Sequence, residues 1–178
     1  MNPVEASASS AEKILLAATD LFAANHFNGV SIKEIAKKSG VNSALISYYF
    51  GGKKNLYQEV LNEQSNLFLN LIARVSSKDI APLAKLREYI TAISEVQKLH
   101  PHRIHLIYRE LLTPTFMCDS FIKNRLYKIH KFMSELVTEA IADGSIRNNM
   151  QPTHVAFTLE SIIAVSYTHL TLPTKLEV

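Results

Sequence analysis

Asn42, Ser43 and Ala44 are the side chains of this sequence whose types and order best fit the edges of DNA bases. An amide and a hydroxyl can exchange hydrogen bonds with base edges, and a methyl group can lie against the methyl of thymine. Small and polar side chains also let a backbone approach the bases, and Ser47 and Tyr48 lie on or near the same outward face. This group predicts direct reading of duplex DNA.

A second group suits phosphates. The Ser31 hydroxyl lies at a predicted helix start, Tyr48 can donate through its hydroxyl, and Lys53 places a charge beside the N-terminus of the next helix. Ser31 and Asn42 also fit an alternative in which they only cap helices. The remaining lysines nearby, Lys37, Lys38 and Lys54, fit a solvated face better than specific contacts.

Two short helices joined by a glycine turn must position these groups. Ser31 and Glu34 form a capping box that starts the first helix, and Gly40 offers the left-handed conformation that ends it. Asn42 can cap the second helix, in which Leu45, Ile46 and Tyr49 fall on the inner face. Tyr49 and the neighbouring Phe50 are expected to be core aromatics. The geometry is that of a helix-turn-helix.

The run G-V-N-S-A-x-I-x-Y-Y-F-G-x-K-x-x-L-Y, at 40–57, resembles the signature of the TetR family of bacterial transcription regulators. The preceding helix strengthens the match through Ile14, Leu15, Ala17, Ala18, Leu21, Phe22 and Phe27. The sequence departs from the family at His26, where Gly is usual, and at Leu45 and Ser47, where Thr and Tyr are usual. Asn25 is expected to replace the glycine by adopting the left-handed region.

The resemblance implies a homodimeric regulator, expected to be a repressor, that binds a palindromic double-stranded DNA operator and releases it when a small-molecule effector binds. It implies that the last two long helices, 119–142 and 152 to about 165, pair with their copies as a four-helix bundle. It also implies that the C-terminal part encloses a mostly apolar ligand. Candidate wall residues are Phe68, Ile72, Tyr89, Ile93, Leu106, Tyr108, Phe116, Met117 and Phe121, with Arg109 and Glu110 as polar anchors. The alternative for each apolar member is ordinary packed core.

Helical periodicity and caps predict an all-α fold, in which an N-terminal three-helix helix-turn-helix domain precedes a helical ligand-binding and dimerisation domain. We divide the chain into a mobile N-terminus (1–10), a DNA-binding domain (11–56) and the helical domain (57–165). Residues 166–178 break the helical pattern and resemble an adapter-like translated tail, so we expect them to be foreign. A frayed natural C-terminus is the alternative.

Composition fits a compact protein, since 178 residues with 47% hydrophobic content can bury a core. No apolar run suits a membrane span or a signal peptide, and a single cysteine cannot form an internal disulfide, so the cytoplasm is expected. The net charge of +3 is mild, so nucleic-acid binding depends on where the lysines lie.

Other classes of function have less support. His100, His102 and His105 suggest a metal site, but their spacing at a helix start splays the rings, so a surface or capping role is expected. Neither a nucleophile elbow nor a phosphate-binding glycine loop is present, so we expect no enzyme, no metal and no cofactor. A helical protein-interaction module without DNA binding is the alternative, and loss of the Lys53 charge separates the two.

Overall fold

The computed structural model describes residues 8–99, 106–110, 115 and 122–170. These residues form helices and turns with no β-strand among them, which confirms the all-α prediction. The helices are α1 (Ser10–Ala24), a 3-10 turn (Phe27–Gly29), α2 (Ile32–Ser39), α3 (Ser43–Phe50), α4 (Lys53–Ser76), α5 (Pro82–Leu99), a helical segment at 106–110, a π-helical turn (Ile122–Leu126), α6 (Tyr127–Ala142) and α7 (Pro152–Leu170).

Local caps define the N-terminal three helices. The Ser31 and Glu34 capping box is formed in both directions, and Gly40 ends α2 in the left-handed conformation at φ 67°. Asn42 then caps α3, since its side chain accepts a hydrogen bond from the Ala44 amide at 2.9 Å. The predicted turn between two short helices is therefore present as expected.

The end of α1 differs from the expectation for Asn25. This residue is extended, with φ −132°, and does not enter the left-handed region. Its backbone amide and its side-chain amide both donate to the Leu21 carbonyl, at 2.9 and 3.2 Å. The side-chain amide adds a second hydrogen bond to the carbonyl that the backbone amide already serves, and the helix ends here without a glycine.

α4 joins the two parts of the molecule. Its first turns bury Leu56 and Tyr57 against α1 and α3, and its later turns bury Phe68 and Leu71 against α5 and α6. One continuous hydrophobic core results, and it extends from Ile46 beneath α3 to the far helices. A 24-residue helix shared by both parts can transmit a displacement from one to the other.

The C-terminal body packs α4, α5, α6 and α7 around the remainder of this core. Arg125, in the π-helical turn, ties the start of α6 to the middle of α4. Its guanidinium donates to the Asn62 carbonyl at 3.1 Å and to the Ser65 hydroxyl at 2.8 Å, and it also bonds the Asn66 side chain. This turn therefore has a fixed position beside α4.

α7 continues to Leu170, five residues past the point where the sequence pattern ends the helix. The described part of residues 166–178 is thus helical, and the foreign origin of this segment stays a prediction. None of the helices in the described part of the chain is long and apolar enough to cross a bilayer.

Candidate nucleic-acid interface and cavity

The predicted base-reading side chains share the exposed face of α3. Asn42, Ser43, Ala44 and Ser47 are all exposed, whereas Ile46 on the opposite face is fully buried. Ile46 therefore packs α3 onto the core, and the small side chains on the opposite face are exposed to solvent. The cap uses only the Asn42 side-chain oxygen, so capping and base contact are compatible for this residue.

Tyr48 and Tyr49 correct one expectation. Tyr48 is 78% exposed, as its predicted role requires, but Tyr49 is 47% exposed and is not a core aromatic. The two rings meet edge to face, with centroids 5.0 Å apart. Tyr49 comes three residues after Ile46 and so lies about 60° around the helix from it, at the edge of the narrow strip that α3 buries. Tyr49 therefore joins the exposed hydroxyl groups beside the reading face, and the adjacent tyrosine pair was the signal for it.

Lys53 has a defined place at the start of α4. Its ammonium lies 4.2 Å from the centre of the Phe27 ring, which supports it through a cation–π contact. Burial lowers the pKa of Lys53, and the nearby Glu34 carboxylate opposes that shift. Gly52, before it, provides no side-chain cap, so the first amides of α4 can also face an anion.

Ser31 is occupied within the protein. Its hydroxyl donates to a Glu34 carboxylate oxygen at 2.7 Å and accepts the Glu34 amide at 3.2 Å. The hydroxyl and backbone amide of Ser31 lower the pKa of Glu34, so this carboxylate is held in its charged form. Capping is the observed role of Ser31, and a phosphate would have to displace Glu34 to use the hydroxyl.

A cavity of about 430 Å³ lies in the C-terminal body and is partly open to solvent, since Phe157 and Val165 in its wall are exposed. Phe68, Tyr89, Ile93 and Tyr108, all predicted ligand contacts, are part of its wall. The rest of the wall was not predicted and comes mainly from the last helices: Ile107, Leu126, Ile129, Met133, Phe157, Glu160, Ser161, Ile163, Ala164 and Val165. Glu160, an acidic residue between apolar positions of α7, was a sequence signal for this wall.

Other predicted ligand contacts lie elsewhere. Ile72 is one turn beyond Phe68 on α4, packs partly buried against the core and is not part of the cavity wall. Arg109 extends toward α1, where its guanidinium donates to the Phe22 carbonyl. Leu106 is core, and Glu110 binds Tyr57 and Thr115. Phe116, Met117 and Phe121 lie outside the described residues.

The segment 106–110 touches both the cavity and the DNA-reading part. Ile107 and Tyr108 line the cavity, whereas the next two residues face α1 and α4. Glu110 is 1% exposed, and its carboxylate accepts the Tyr57 hydroxyl at 2.9 Å and the amide and hydroxyl of Thr115.

Tyr57 continues this connection into an aromatic cluster. Its ring lies 4.8 Å from Phe22 and 5.0 Å from Phe27, and Phe27 is the ring that supports Lys53. A contiguous series of contacts thus joins the cavity wall to a predicted phosphate contact.

The described residues contain no cluster of His, Cys, Asp and Glu that could hold a metal ion. The three histidines of the sequence prediction, His100, His102 and His105, fall outside the described ranges, so their role stays a prediction.

Comparison with known proteins gives consistent results. Residues 14–60 match the sequence family described as bacterial regulatory proteins, tetR family. The chain is 30% identical over 144 residues to the HTH-type transcriptional regulator RutR of Escherichia coli K12, and the match covers 81% of this chain and 67% of that protein. It is 26% identical over 163 residues to the probable HTH-type transcriptional regulator YttP of Bacillus subtilis, covering 89% of this chain and 77% of that one.

Solved structures show the same fold. AibR, in complex with isovaleryl coenzyme A and operator DNA, superposes with a TM-score of 0.80 over 90% of this chain and 86% of that chain. The sequences are 24% identical, so this likeness concerns the architecture alone.

Proposed function

The chain belongs to the TetR family of bacterial regulatory proteins, and from that premise we propose that it is a homodimeric transcription repressor that binds a palindromic DNA operator and releases it when a small molecule fills its cavity. The observation that carries the proposal is the segment 106–110, which contacts the cavity with one half and the DNA-reading part with the other.

In this proposal α3 enters the major groove and reads sequence through Asn42, Ser43 and Ala44. Their exposure along one face, above the buried Ile46, supports this assignment. An amide can bond an adenine edge in two places, and each good pair of this kind discriminates bases by about 1–3 kcal/mol. Ser47 continues the face by one turn and contacts the flanking bases or backbone.

Phosphates are held on both sides of this face. Tyr48 and Lys53 are the main contacts, with Tyr49 as an addition from the structure. Such contacts fix register but carry no base information. Ser31 contributes chiefly by capping α2, since its hydroxyl already serves Glu34.

The homodimer would form through α6 and α7, as in the four-helix bundle of the family. Both helices present large apolar side chains to solvent, among them Tyr127, Phe157 and Ile162. A surface of this kind on a single protein chain usually marks an interface. We also propose that residues 166–178 are foreign and add nothing to DNA reading.

Release would follow from a change in the position of the segment 106–110. A molecule that displaces Ile107 and Tyr108 also displaces Glu110 and Arg109, and with them the attachment of Tyr57 and of the end of α1. The ligand then favours the state in which the two reading helices no longer match half-sites about 34–36 Å apart, or a multiple of that distance.

We also propose that the protein is not an enzyme, binds no cofactor and acts in the cytoplasm. The relatives that it matches are bacterial transcription regulators, which supports that class of activity and that location.

Selection of bound sequences from random duplex DNA at one moderate salt concentration tests the proposal. We expect an inverted repeat to be enriched, and the same repeat with a version that ends after Val165. If a protein that elutes as a dimer enriches no sequence, the DNA-reading proposal is wrong and the helical interaction module replaces it.

A further inference from the structure

The cavity has an apolar wall with a small polar region at one place. Phe68, Ile93 and Met133 are typical of the wall, and its volume of about 430 Å³ lies within the range of small-molecule sites. The polar region is formed by Tyr89 on α5, Tyr108 on the segment 106–110 and Glu160 on α7.

Two atoms of this region have no hydrogen-bond partner among the described residues. They are the hydroxyl of Tyr89 and the Oε1 atom of Glu160, and both atoms are buried. Buried polar atoms are paired in the great majority of cases, and each exception calls for an explanation. Since both residues line the cavity, the explanation that the geometry offers is a molecule within it.

The neighbouring polar atoms already have partners. Glu160 Oε2 lies 3.2 Å from His130 Nδ1, and the Tyr108 hydroxyl accepts a hydrogen bond from the Gln97 amide at 2.9 Å. These bonds hold the carboxylate and the second tyrosine in place. They leave Tyr89 and Glu160 Oε1 to face the polar end of a bound molecule.

The two unpaired atoms have different hydrogen-bonding roles. Burial first, and then the neighbouring Tyr108 hydroxyl and Glu160 carboxylate, raises the pKa of Tyr89 above its ordinary range, so its hydroxyl keeps a proton to donate. A carboxylate oxygen is an acceptor. Burial raises the pKa of Glu160, and the hydrogen bond from His130 opposes that shift.

Resting on the repressor function proposed above, we propose that the cavity binds an uncharged, mainly apolar molecule whose single polar group, a hydroxyl or an amide, donates to Glu160 Oε1 and accepts from the Tyr89 hydroxyl. One hydroxyl satisfies both atoms at once. A carboxylate anion has no proton to donate to Glu160 Oε1 and meets the like charge of Glu160. Acid anions are therefore the disfavoured class.

Three probes of equal chain length test this inference, namely octan-1-ol, octanamide and octanoate, titrated into the full chain near neutral pH and followed by calorimetry. We expect octan-1-ol and octanamide to bind about tenfold more tightly than octanoate, because only they complete both hydrogen bonds. Octanoate that binds as tightly as octan-1-ol overturns the inference, and so does the absence of binding by all three.

Two variants test whether Tyr89 and Glu160 cause the preference for octan-1-ol over octanoate. Tyr89→Phe should weaken octan-1-ol about fivefold and leave the fold intact, since it removes an unpaired hydroxyl from a packed ring. Glu160→Gln should weaken octan-1-ol and strengthen octanoate, because it removes the repelling charge. If the ratio of octan-1-ol affinity to octanoate affinity is unchanged in both variants, the assignment of the polar contacts to Tyr89 and Glu160 is wrong.

Ser161→Ala is the matched control. Ser161 also lines the cavity, but its hydroxyl donates to the Phe157 carbonyl at 2.8 Å within its own helix. We expect its probe affinities to stay within about twofold of the parent chain, since the hydroxyl proton is already used. A change as large as that of Tyr89→Phe would argue against a specific pair of groups.

The selection of DNA sequences distinguishes a failure of the proposed ligand class from a failure of the proposed repressor function. An enriched inverted repeat without probe binding refutes the ligand class alone. Probe binding with the expected preference, from a dimer that enriches no DNA sequence, refutes the repressor and leaves the site standing.

Discussion

Removal of the Lys53 charge gives a quantitative test of DNA binding. Lys53→Met keeps the apolar stem above Phe27 and deletes only the ammonium that lies 4.2 Å from the ring centre. The fold should lose no more than the cation–π contact, about 0.5–1 kcal/mol. A larger loss of DNA affinity then reports on a phosphate contact and not on unfolding.

The magnitude follows from counterion release. Each phosphate contact contributes about 0.9 to the slope of log affinity against log salt, and a dimer carries two copies of Lys53, so the slope should become shallower by about 1.8. Between about 50 and 200 mM salt, the variant should therefore lose about 12-fold less affinity than the parent chain. The loss should be the same for the selected operator and for unrelated duplexes, since phosphates carry no sequence information.

Fluorescence anisotropy titrations at four salt concentrations measure both slopes. Lys54→Met is the matched control, because Lys54 is the adjacent residue, is exposed and has no ion pair in the described part of the chain. A slope change below about 0.5, or one equal to that of Lys54→Met, would refute the assignment of Lys53 to a phosphate. A change near 0.9 would indicate that only one reading head engages the DNA.

Three further substitutions test base reading by Asn42, the buried contact of Glu110 and the packing of α3. Asn42→Ser keeps a capping oxygen for the Ala44 amide, so the free energy of unfolding should change by less than about 0.5 kcal/mol. Operator affinity should fall at least about fivefold. If the variant binds the operator as tightly as the parent chain, capping is the only role of Asn42. Tyr57→Phe strips Glu110 of a buried partner and should lower the free energy of unfolding in urea by about 1–3 kcal/mol, and no change would show that the 2.9 Å contact contributes nothing. Ile46→Ala should cost about 2–5 kcal/mol in the same assay, because Ile46 is the fully buried side chain beneath α3, and a cost below about 1 kcal/mol would mean that other contacts hold that helix.

The sequence predicted the N-terminal part closely because its signals are local. A capping box spans four residues, and a left-handed glycine acts at one, so Ser31, Glu34 and Gly40 place α2 and the following turn without knowledge of the rest of the fold. Tyr49 was misjudged because inner-face spacing on an eight-residue helix does not show how wide a strip its neighbours cover.

The cavity was predicted only in part because its wall is assembled from distant segments. Phe68 and Tyr89 have the size and apolar character of wall residues, but Glu160 and Ile129 become neighbours of them only when α6 and α7 pack on α4 and α5. Arg109 looked like a ligand anchor from its type alone. Its hydrogen bond to a backbone carbonyl of α1, 87 positions earlier, is a tertiary contact that no local pattern encodes.

The most direct test of a two-headed repressor compares the selected inverted repeat with a duplex of equal length that carries only one of its half-sites. We expect two chains to bind the full repeat together, and the single half-site to bind at least about 100-fold more weakly, near the level of non-specific DNA. Equal affinity for the two duplexes, with one chain bound to each, would contradict reading by a dimer.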